Sequence, residues 1–146
     1  MSWRPRVTVA AVIERDGRFL MVEEETADGV VFNQPAGHLE EGESLIQAVI
    51  REALEETAHD FVPVGIVGLY RWRVPATGDT YLRCCFHGEA PVHHAERALD
   101  PDIRRAVWLD DDAVGCSPLR SPLVSRAIDD YRKGCSYPLE MLADVG

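Results

Sequence analysis

The sequence predicts an α+β fold in which a mixed β-sheet lies between helices. Three observations lead to this expectation: short β-branched and apolar runs recur along the chain, one amphipathic helical pattern separates them, and a second helical pattern comes late. The chain has 146 residues, a length that fits one domain with a substantial hydrophobic core. We therefore expect residues 1–146 to form a single domain.

The first predicted element is a β-hairpin. Residues 6–13 are β-branched and apolar, Asp16 and Gly17 give a turn signal, and residues 18–23 return as a second strand. A loop is expected over residues 28–33. Pro35 then favours an extended approach to the next element, because proline restricts the residue before it.

A helix is expected over residues 44–58. Ser44, followed three residues later by Gln47, forms the pattern of a capping box, and apolar residues recur every four positions along one side. Ala58 stands near the end, where a glycine would adopt the left-handed capping conformation better. We therefore expect the helix to run on past Ala58 or to end without that cap, with His59 interacting with the helix C-terminus.

The second half of the chain contains strands, turns and a last helix. Apolar residues at steps of four, ended by Gly134, predict this helix over residues 119–133. The elements expected before it are strands at 62–73 and 80–88, an irregular loop at 90–101, a strand at 104–109 and a turn or short helix at 110–114.

Composition and charge argue against several kinds of function. The formal net charge of −10 argues against general nucleic-acid binding, because the phosphate backbone requires a basic protein surface. No stretch approaches the roughly 18 apolar residues of a membrane span, and no apolar secretory signal is recognisable, so we expect no membrane partner and a cytoplasmic location. The four cysteines include no Cys-x-x-Cys pair, which argues against a zinc site.

Three acidic residues crowd one side of the predicted central helix. Since an α-helix turns about 100° per residue, Glu55 lies roughly 60° to one side of Glu52 and Glu56 roughly 40° to the other. Like charges at these spacings destabilise a bare helix, and a hard divalent cation would neutralise them because Mg²⁺ prefers oxygen ligands. The alternatives, a solvated acidic face or a partner-binding surface, leave the upstream spacing of Gly37 and Glu43 unexplained.

The segment around these acids resembles the Nudix box, G-x5-E-x7-R-E-U-x-E-E-x-G-U, in which U is a bulky apolar residue. Ala58 and His59 depart from the last glycine and the last apolar position of that pattern. Segments 30–40, 119–124 and 137–141 are also similar to the bacterial NudJ-type phosphatases. The positions that match the box are Gly37, Glu43, Arg51, Glu52, Ala53, Glu55 and Glu56.

This resemblance implies a Nudix fold, which is an α/β/α sandwich with a mixed central sheet, and a monomeric Mg²⁺-dependent hydrolase, with Mn²⁺ as the alternative ion. NudJ-type members hydrolyse nucleoside tri- and diphosphates and hydroxymethylpyrimidine pyrophosphate and release orthophosphate. Arg51 would brace the loop by pairing with Glu43 and would act with the three helix glutamates in catalysis. The implied metal ligands are the Gly37 carbonyl and the carboxylates of Glu52, Glu55 and Glu56.

Contacts to a small phosphate substrate are expected from outside the box. Trp72 and Arg83 lie on two predicted strands where aromatic residues alternate with arginines. Aromatic rings stack on bases and guanidinium groups bind phosphate, although ordinary strand packing would also place aromatic residues there. Arg6, Asn33 and Gln34 precede the box loop and could face the same pocket.

The general base and the preferred substrate stay open at this level. The base could be a box glutamate or, by position alone, Glu89 or Glu96. Dinucleoside polyphosphates, nucleotide sugars and the 5′ end of RNA are alternative substrates. A nucleotide-binding module without catalysis is a further alternative, but it would be expected to lose the box acids that this chain retains.

Overall fold

The computed structural model describes residues 2–146, which form a seven-stranded sheet, three α-helices and a short 3-10 helix. None of the helices described is long and apolar enough to cross a membrane. In chain order, the elements are β1 (Arg6–Arg15), β2 (Arg18–Thr26), β3 (Gly29–Asn33), β4 (Ala36–His38), α1 (Leu45–Thr57), β5 (His59–Arg73), β6 (Thr80–His93), β7 (Ile103–Leu109), α2 (Asp111–Gly115), α3 (Pro122–Arg132) and the 3-10 helix (Leu139–Met141).

The sheet is mixed, as expected. Its main strand order is β3-β2-β1-β6-β5, while β4 pairs with β1 and β7 pairs with β2. Strand β1 runs parallel to β6, whereas β5 and β6 form a long antiparallel pair. Strand β4 therefore lies beside β1, where its residues can face helix α1.

The two faces of the sheet are covered by different helices. Alternate residues of β1 point to opposite sides, so Val9 packs in the core that contains α1 and Ala10 packs in the core that contains α3. Val49 of α1 is fully buried on the first side, and Val124 of α3 is fully buried on the second. The predicted α/β/α arrangement is confirmed.

Two segments that were expected to be loops are strands. Residues 29–33 form β3, whose Gly29 pairs with Thr26 and whose Asn33 pairs with Val22 of β2. Strand β6 continues to His93, which pairs with His59 at the start of β5. Backbone pairing with a neighbouring strand outweighs local composition in both places.

The last helix begins later than predicted. Leu119 forms an isolated parallel bridge with Phe32 of β3, so the chain is still extended at that residue. Helix α3 begins at Pro122 after the N-cap residue Ser121, whose side chain accepts from the Leu123 amide. Proline in the first turn fits this start, because its fixed φ suits a helix and the amide there needs no partner.

Helix α1 begins as predicted and ends differently. Ser44 and Gln47 form the reciprocal capping box. Ala58 adopts the left-handed conformation with φ +56°, and its amide donates to Leu54 O, so the expectation that the helix would run on or end without this cap was wrong. The cause lies in the next residue, because His59 already begins β5 and its Nδ1 donates to Thr57 O at 2.7 Å. The predicted interaction of His59 with the helix C-terminus is confirmed.

Candidate active site

Strand β4 meets helix α1 at two consecutive residues. The amide of Ala36 donates to Oε1 of Glu56 at 2.8 Å. The α-carbon of Gly37 faces the Glu52 carboxylate so closely that a Cβ at residue 37 would overlap it. A side chain at residue 37 would therefore force the Glu52 carboxylate to move.

Arg51 holds the loop that precedes helix α1. Its Nε donates to Oε2 of Glu43 at 2.9 Å and its Nη2 donates to Oε1 of Glu43 at 2.7 Å. Nη2 also donates to His38 O at 3.1 Å. The structure therefore contains the expected Arg51–Glu43 pair, in the bidentate geometry that only a guanidinium provides.

The same guanidinium also reaches two of the predicted metal ligands. Nη1 of Arg51 donates to Glu52 Oε1 at 2.6 Å and to Glu55 Oε1 at 2.7 Å. Burial raises the pKa of the Glu52 carboxyl above its usual range, while the hydrogen bond from Arg51 acts in the opposite direction. Arg51 thus aligns two carboxylates and neutralises part of their charge.

Glu56 is the most strongly perturbed acid of the site. Its side chain is buried, and burial raises its pKa to about 9, with the negative charges of Glu52, Glu24 and Asp100 adding to the effect and the Ala36 amide opposing it. The charge of the buried Arg83 guanidinium acts on Glu56 but does not offset the cost of burying the carboxylate. A divalent cation beside Glu56 would add positive charge.

Asp100 completes an acidic group that sequence reasoning missed. One ligand oxygen each from Glu52, Glu55 and Asp100 lie within 4.8 Å of one another, and the Asp100 amide donates to Glu55 O at 3.0 Å. Glu89 and Glu96, the two candidates for the general base outside the box, are exposed. Asp100 lies in the connection between β6 and β7, and no fixed spacing in the sequence relates it to helix α1.

The donor set of this site fits a hard divalent cation. Carboxylate and backbone carbonyl oxygens are the ligands that Mg²⁺, Mn²⁺ and Ca²⁺ prefer, whereas thiolate and imidazole would favour other metals. The predicted ligands Gly37, Glu52, Glu55 and Glu56 lie on two elements in contact, and Asp100 approaches from a third.

One face of the sheet carries an aromatic surface. Residues paired directly across strands project to the same face, and Tyr81 pairs with both Arg6 and Trp72. The Trp72 and Tyr81 rings lie 5.9 Å apart, and the His38 ring lies 6.2 Å from that of Tyr81. We call Arg6, His38, Trp72 and Tyr81 the platform.

The other three expected substrate contacts lie beneath the exposed surface. Asn33, Gln34 and Arg83 are buried, and Arg83 Nη2 donates to Asn33 Oδ1 and Gln34 Oε1, each at 3.1 Å. Thr8 relates them to the platform, because it pairs with His38 on one side and Arg83 on the other. Arg83 therefore lies on the same face of the sheet as Arg6 and Trp72, and its side chain contacts Asn33 and Gln34.

Two cavities stand out among the described residues. One, of about 410 Å³, lies near the end of α3 and is separate from the acidic group. The other, of about 450 Å³, adjoins the platform at His38 and Arg6. The residues that line this second cavity are Pro5, Arg6, Val7, His38, Leu39, Glu40 and Glu41.

Comparisons with known proteins agree with this geometry. The family model of the NUDIX domain matches residues 3–128. Phosphatase NudJ of Escherichia coli strain K12 is 38% identical over 143 residues, which are 97% of this chain and 93% of that protein. The solved NUDIX hydrolase from Nitrosomonas europaea superposes with a TM-score of 0.95 at 46% identity, covering 97% of this chain and 98% of that one.

A more distant structure shares the fold alone. The NUDIX domain of Shewanella oneidensis NrtR, solved with ADP ribose, has a TM-score of 0.76 at 18% identity and covers 91% of this chain and 90% of that chain. The family match and the relatives above cover most of the chain, and the resemblance to NudJ-type phosphatases is confirmed. The chain therefore belongs to the Nudix hydrolases and is an enzyme that hydrolyses phosphoanhydride bonds.

Proposed function

We propose that this enzyme hydrolyses nucleoside tri- and diphosphates and hydroxymethylpyrimidine pyrophosphate in a Mg²⁺-dependent reaction that releases orthophosphate. The observation that carries the proposal is the group of carboxylate oxygens from Glu52, Glu55 and Asp100, which lie within 4.8 Å of one another. The 38% identity to phosphatase NudJ of Escherichia coli supports a reaction that releases phosphate.

In this proposal the cation is held by the carboxylates of the box helix and by the Gly37 carbonyl. When bound, Mg²⁺ or Mn²⁺ would neutralise phosphate charge and lower the pKa of a water molecule. Arg51 keeps the carboxylates of Glu52 and Glu55 aligned through its two hydrogen bonds from Nη1. Its bidentate pair with Glu43 keeps the preceding loop in place.

Asp100 is the residue we assign as general base. Burial and the charge of Glu55 raise its pKa, which makes its carboxylate a better proton acceptor than an ordinary aspartate. A carboxylate oxygen of Asp100 would take the proton from the attacking water. Because the Asp100 amide donates to the backbone of Glu55, the base is fixed relative to the metal ligands.

The platform would bind the aromatic part of the substrate. Trp72 and Tyr81 are partly exposed, so a base or a pyrimidine ring can stack on them. Arg6 supplies a positive charge at the edge of the platform. In this proposal the phosphates of the stacked substrate extend from the platform to the acidic group.

A phosphate-release screen tests the proposal. We expect orthophosphate from nucleotides and from pyrimidine pyrophosphates with Mg²⁺, and none in the presence of a chelator. Trp72→Ala should raise KM for these substrates with a smaller change in kcat. Release confined to dinucleoside polyphosphates, nucleotide sugars or capped RNA would contradict the substrate assignment, and an unchanged KM for Trp72→Ala would remove the platform from the binding site.

A further inference from the structure

We infer that Asn33, Gln34 and Arg83 form a buried relay that positions the metal-binding segment 35–37 and anchors it to helix α3, and that these residues do not contact the substrate. The relay consists of hydrogen bonds from Arg83 to the side chains of Asn33 and Gln34, and from Gln34 to the backbone of Val124. The inference rests on the proposed metal site, because positioning matters only if that segment binds the cation.

Gln34 occupies the centre of the relay. Its side chain is 1% exposed. Its Nε2 donates to Val124 O in helix α3 at 2.8 Å, and its Oε1 accepts from Arg83 Nη2 at 3.1 Å. Both ends of the amide are therefore engaged, and rotating or shifting it would leave a buried polar atom without a partner, which is costly.

Arg83 is held by the side chains of Asn33 and Gln34. Its guanidinium is 6% exposed and donates from Nη2 to the amide oxygens of Asn33 and Gln34, while its buried Nε has no hydrogen-bond partner. A buried cation with few acceptors strongly resists the loss of any of them. Arg83 therefore fixes the end of β3 and the residue that follows it.

The segment after Gln34 leads directly to the metal site and has little freedom. Pro35 O accepts from the Ala11 amide at 2.9 Å, and the Ala36 amide donates to Glu56 Oε1 at 2.8 Å. Gly37 follows, with its α-carbon against the Glu52 carboxylate. A displacement of Gln34 would therefore be transmitted to Ala36 and Gly37, which contact Glu56 and Glu52.

Direct contact with the substrate is the competing interpretation. The unpartnered Nε of Arg83 favours it, because a phosphate oxygen would be a suitable acceptor. Burial argues against it, since Asn33, Gln34 and Arg83 are each less than a tenth exposed. Loss of a substrate contact would raise KM. Loss of a positioning residue would instead change the backbone of segment 35–37 even without substrate.

The test uses the full chain and two readouts that do not depend on catalysis. Gln34→Met keeps the shape of the side chain and removes both hydrogen bonds. Asn33→Leu removes one of the two acceptors of Arg83, whereas Asn33→Asp retains an acceptor at residue 33. Tyr131→Phe is the control, because it removes the hydrogen bond from α3 to Glu14 of β1, far from the relay. Hydrogen exchange of residues 33–39 is measured in the metal-free protein, and Mn²⁺ affinity is measured by titration calorimetry.

We expect Gln34→Met and Asn33→Leu to speed amide exchange at Ala36 and Gly37 about tenfold and to weaken Mn²⁺ binding by about tenfold, the usual effect of removing support behind metal ligands. Asn33→Asp and Tyr131→Phe should behave as the unmodified protein. Unchanged exchange in folded Gln34→Met and Asn33→Leu would overturn the relay, as would a raised KM with unchanged exchange. If exchange is faster in these variants but even the unmodified protein binds no Mn²⁺, the relay is supported and the proposed metal site is contradicted.

Discussion

Gly37 and Glu52 are in such close contact that no β-carbon fits between them. A Cβ at residue 37 would overlap Cδ and both oxygens of the Glu52 carboxylate. This contact joins strand β4 to helix α1 at the first residue of the Nudix box. It also explains in physical terms why the box begins with glycine, since any side chain would displace a predicted metal ligand.

Gly37→Ala should therefore damage the metal site while leaving the fold intact. The added methyl group displaces Glu52, and we expect kcat/KM and Mn²⁺ affinity each to fall at least about tenfold. The thermal unfolding temperature should change by only a few degrees, because only the contact between β4 and the Glu52 side chain is affected. Gly115→Ala is the matched control, because a Cβ there meets nothing within 4 Å. Normal kinetics for Gly37→Ala would show that the contact has no role in catalysis.

Asp100→Asn tests the general base. Removing a base that acts in the rate-limiting step should lower kcat by roughly 10²- to 10⁴-fold, with a small change in the KM of the substrate. Glu89→Gln and Glu96→Gln should keep normal kcat, because both residues are exposed and lie outside the Glu52, Glu55 and Asp100 group. A large loss of kcat in either control, with Asp100→Asn active, would move the base to that residue.

The sequence predicted the parts of the site that depend on local spacing. The capping box of Ser44 and Gln47 and the Arg51–Glu43 pair lie on one helix and its preceding loop, where the chain geometry fixes which residues meet. Asp100 could not be found in this way, because its position depends on how the connection between β6 and β7 packs on α1.

Two errors in the predicted elements have a related cause. Strand β3 forms because β2 pairs with it along its whole length, and local composition does not report that pairing. The left-handed cap at Ala58 forms although alanine disfavours it, because His59 must begin β5 at once. In both cases tertiary contacts outweigh the preference of the local sequence.

His59 should make the protein sensitive to acid. It is 5% exposed and stacks on His93 at 4.3 Å, and burial lowers its pKa below the usual 6.5. The unfolded chain then binds a proton at higher pH than the folded protein, so stability falls as the pH drops below about 6.5. His59→Leu removes this titration, and the loss of Tm between pH 7 and pH 5 should shrink by about 3 °C.

The change of Tm with pH, rather than the stability at one pH, is the diagnostic quantity for His59→Leu. The variant also loses the hydrogen bond to Thr57 O, which lowers stability by about 1 kcal/mol at every pH. Burial also lowers the pKa of His38 and His87, but these residues are present in both proteins and cancel in the comparison. An equally steep loss of Tm in His59→Leu would assign the acid sensitivity to another group.

Glu56 should have the opposite effect on the pH dependence of the metal-free protein. Burial raises its pKa to about 9 from the usual 4.5. Between these values the folded state binds a proton that the unfolded chain has released, so stability falls as the pH rises through this window. Glu56→Gln removes the titration and retains an oxygen for the Ala36 amide. At pH 8.5 its Tm should exceed that of the unmodified metal-free protein by about 5 °C or more.

Activity and stability should change in opposite directions in Glu56→Gln, because the neutral amide relieves charge repulsion but removes a metal ligand. We expect near-complete loss of hydrolysis, and little rise in Tm when Mn²⁺ is added at pH 8.5. The unmodified protein should instead gain stability with Mn²⁺, and its Mn²⁺ affinity should increase with pH, since binding of the cation must expel a proton from Glu56. A metal-free protein whose Tm is flat from pH 5 to 9 would mean that Glu56 is ionised without the cation, its charge balanced within the folded chain by a group such as Arg83.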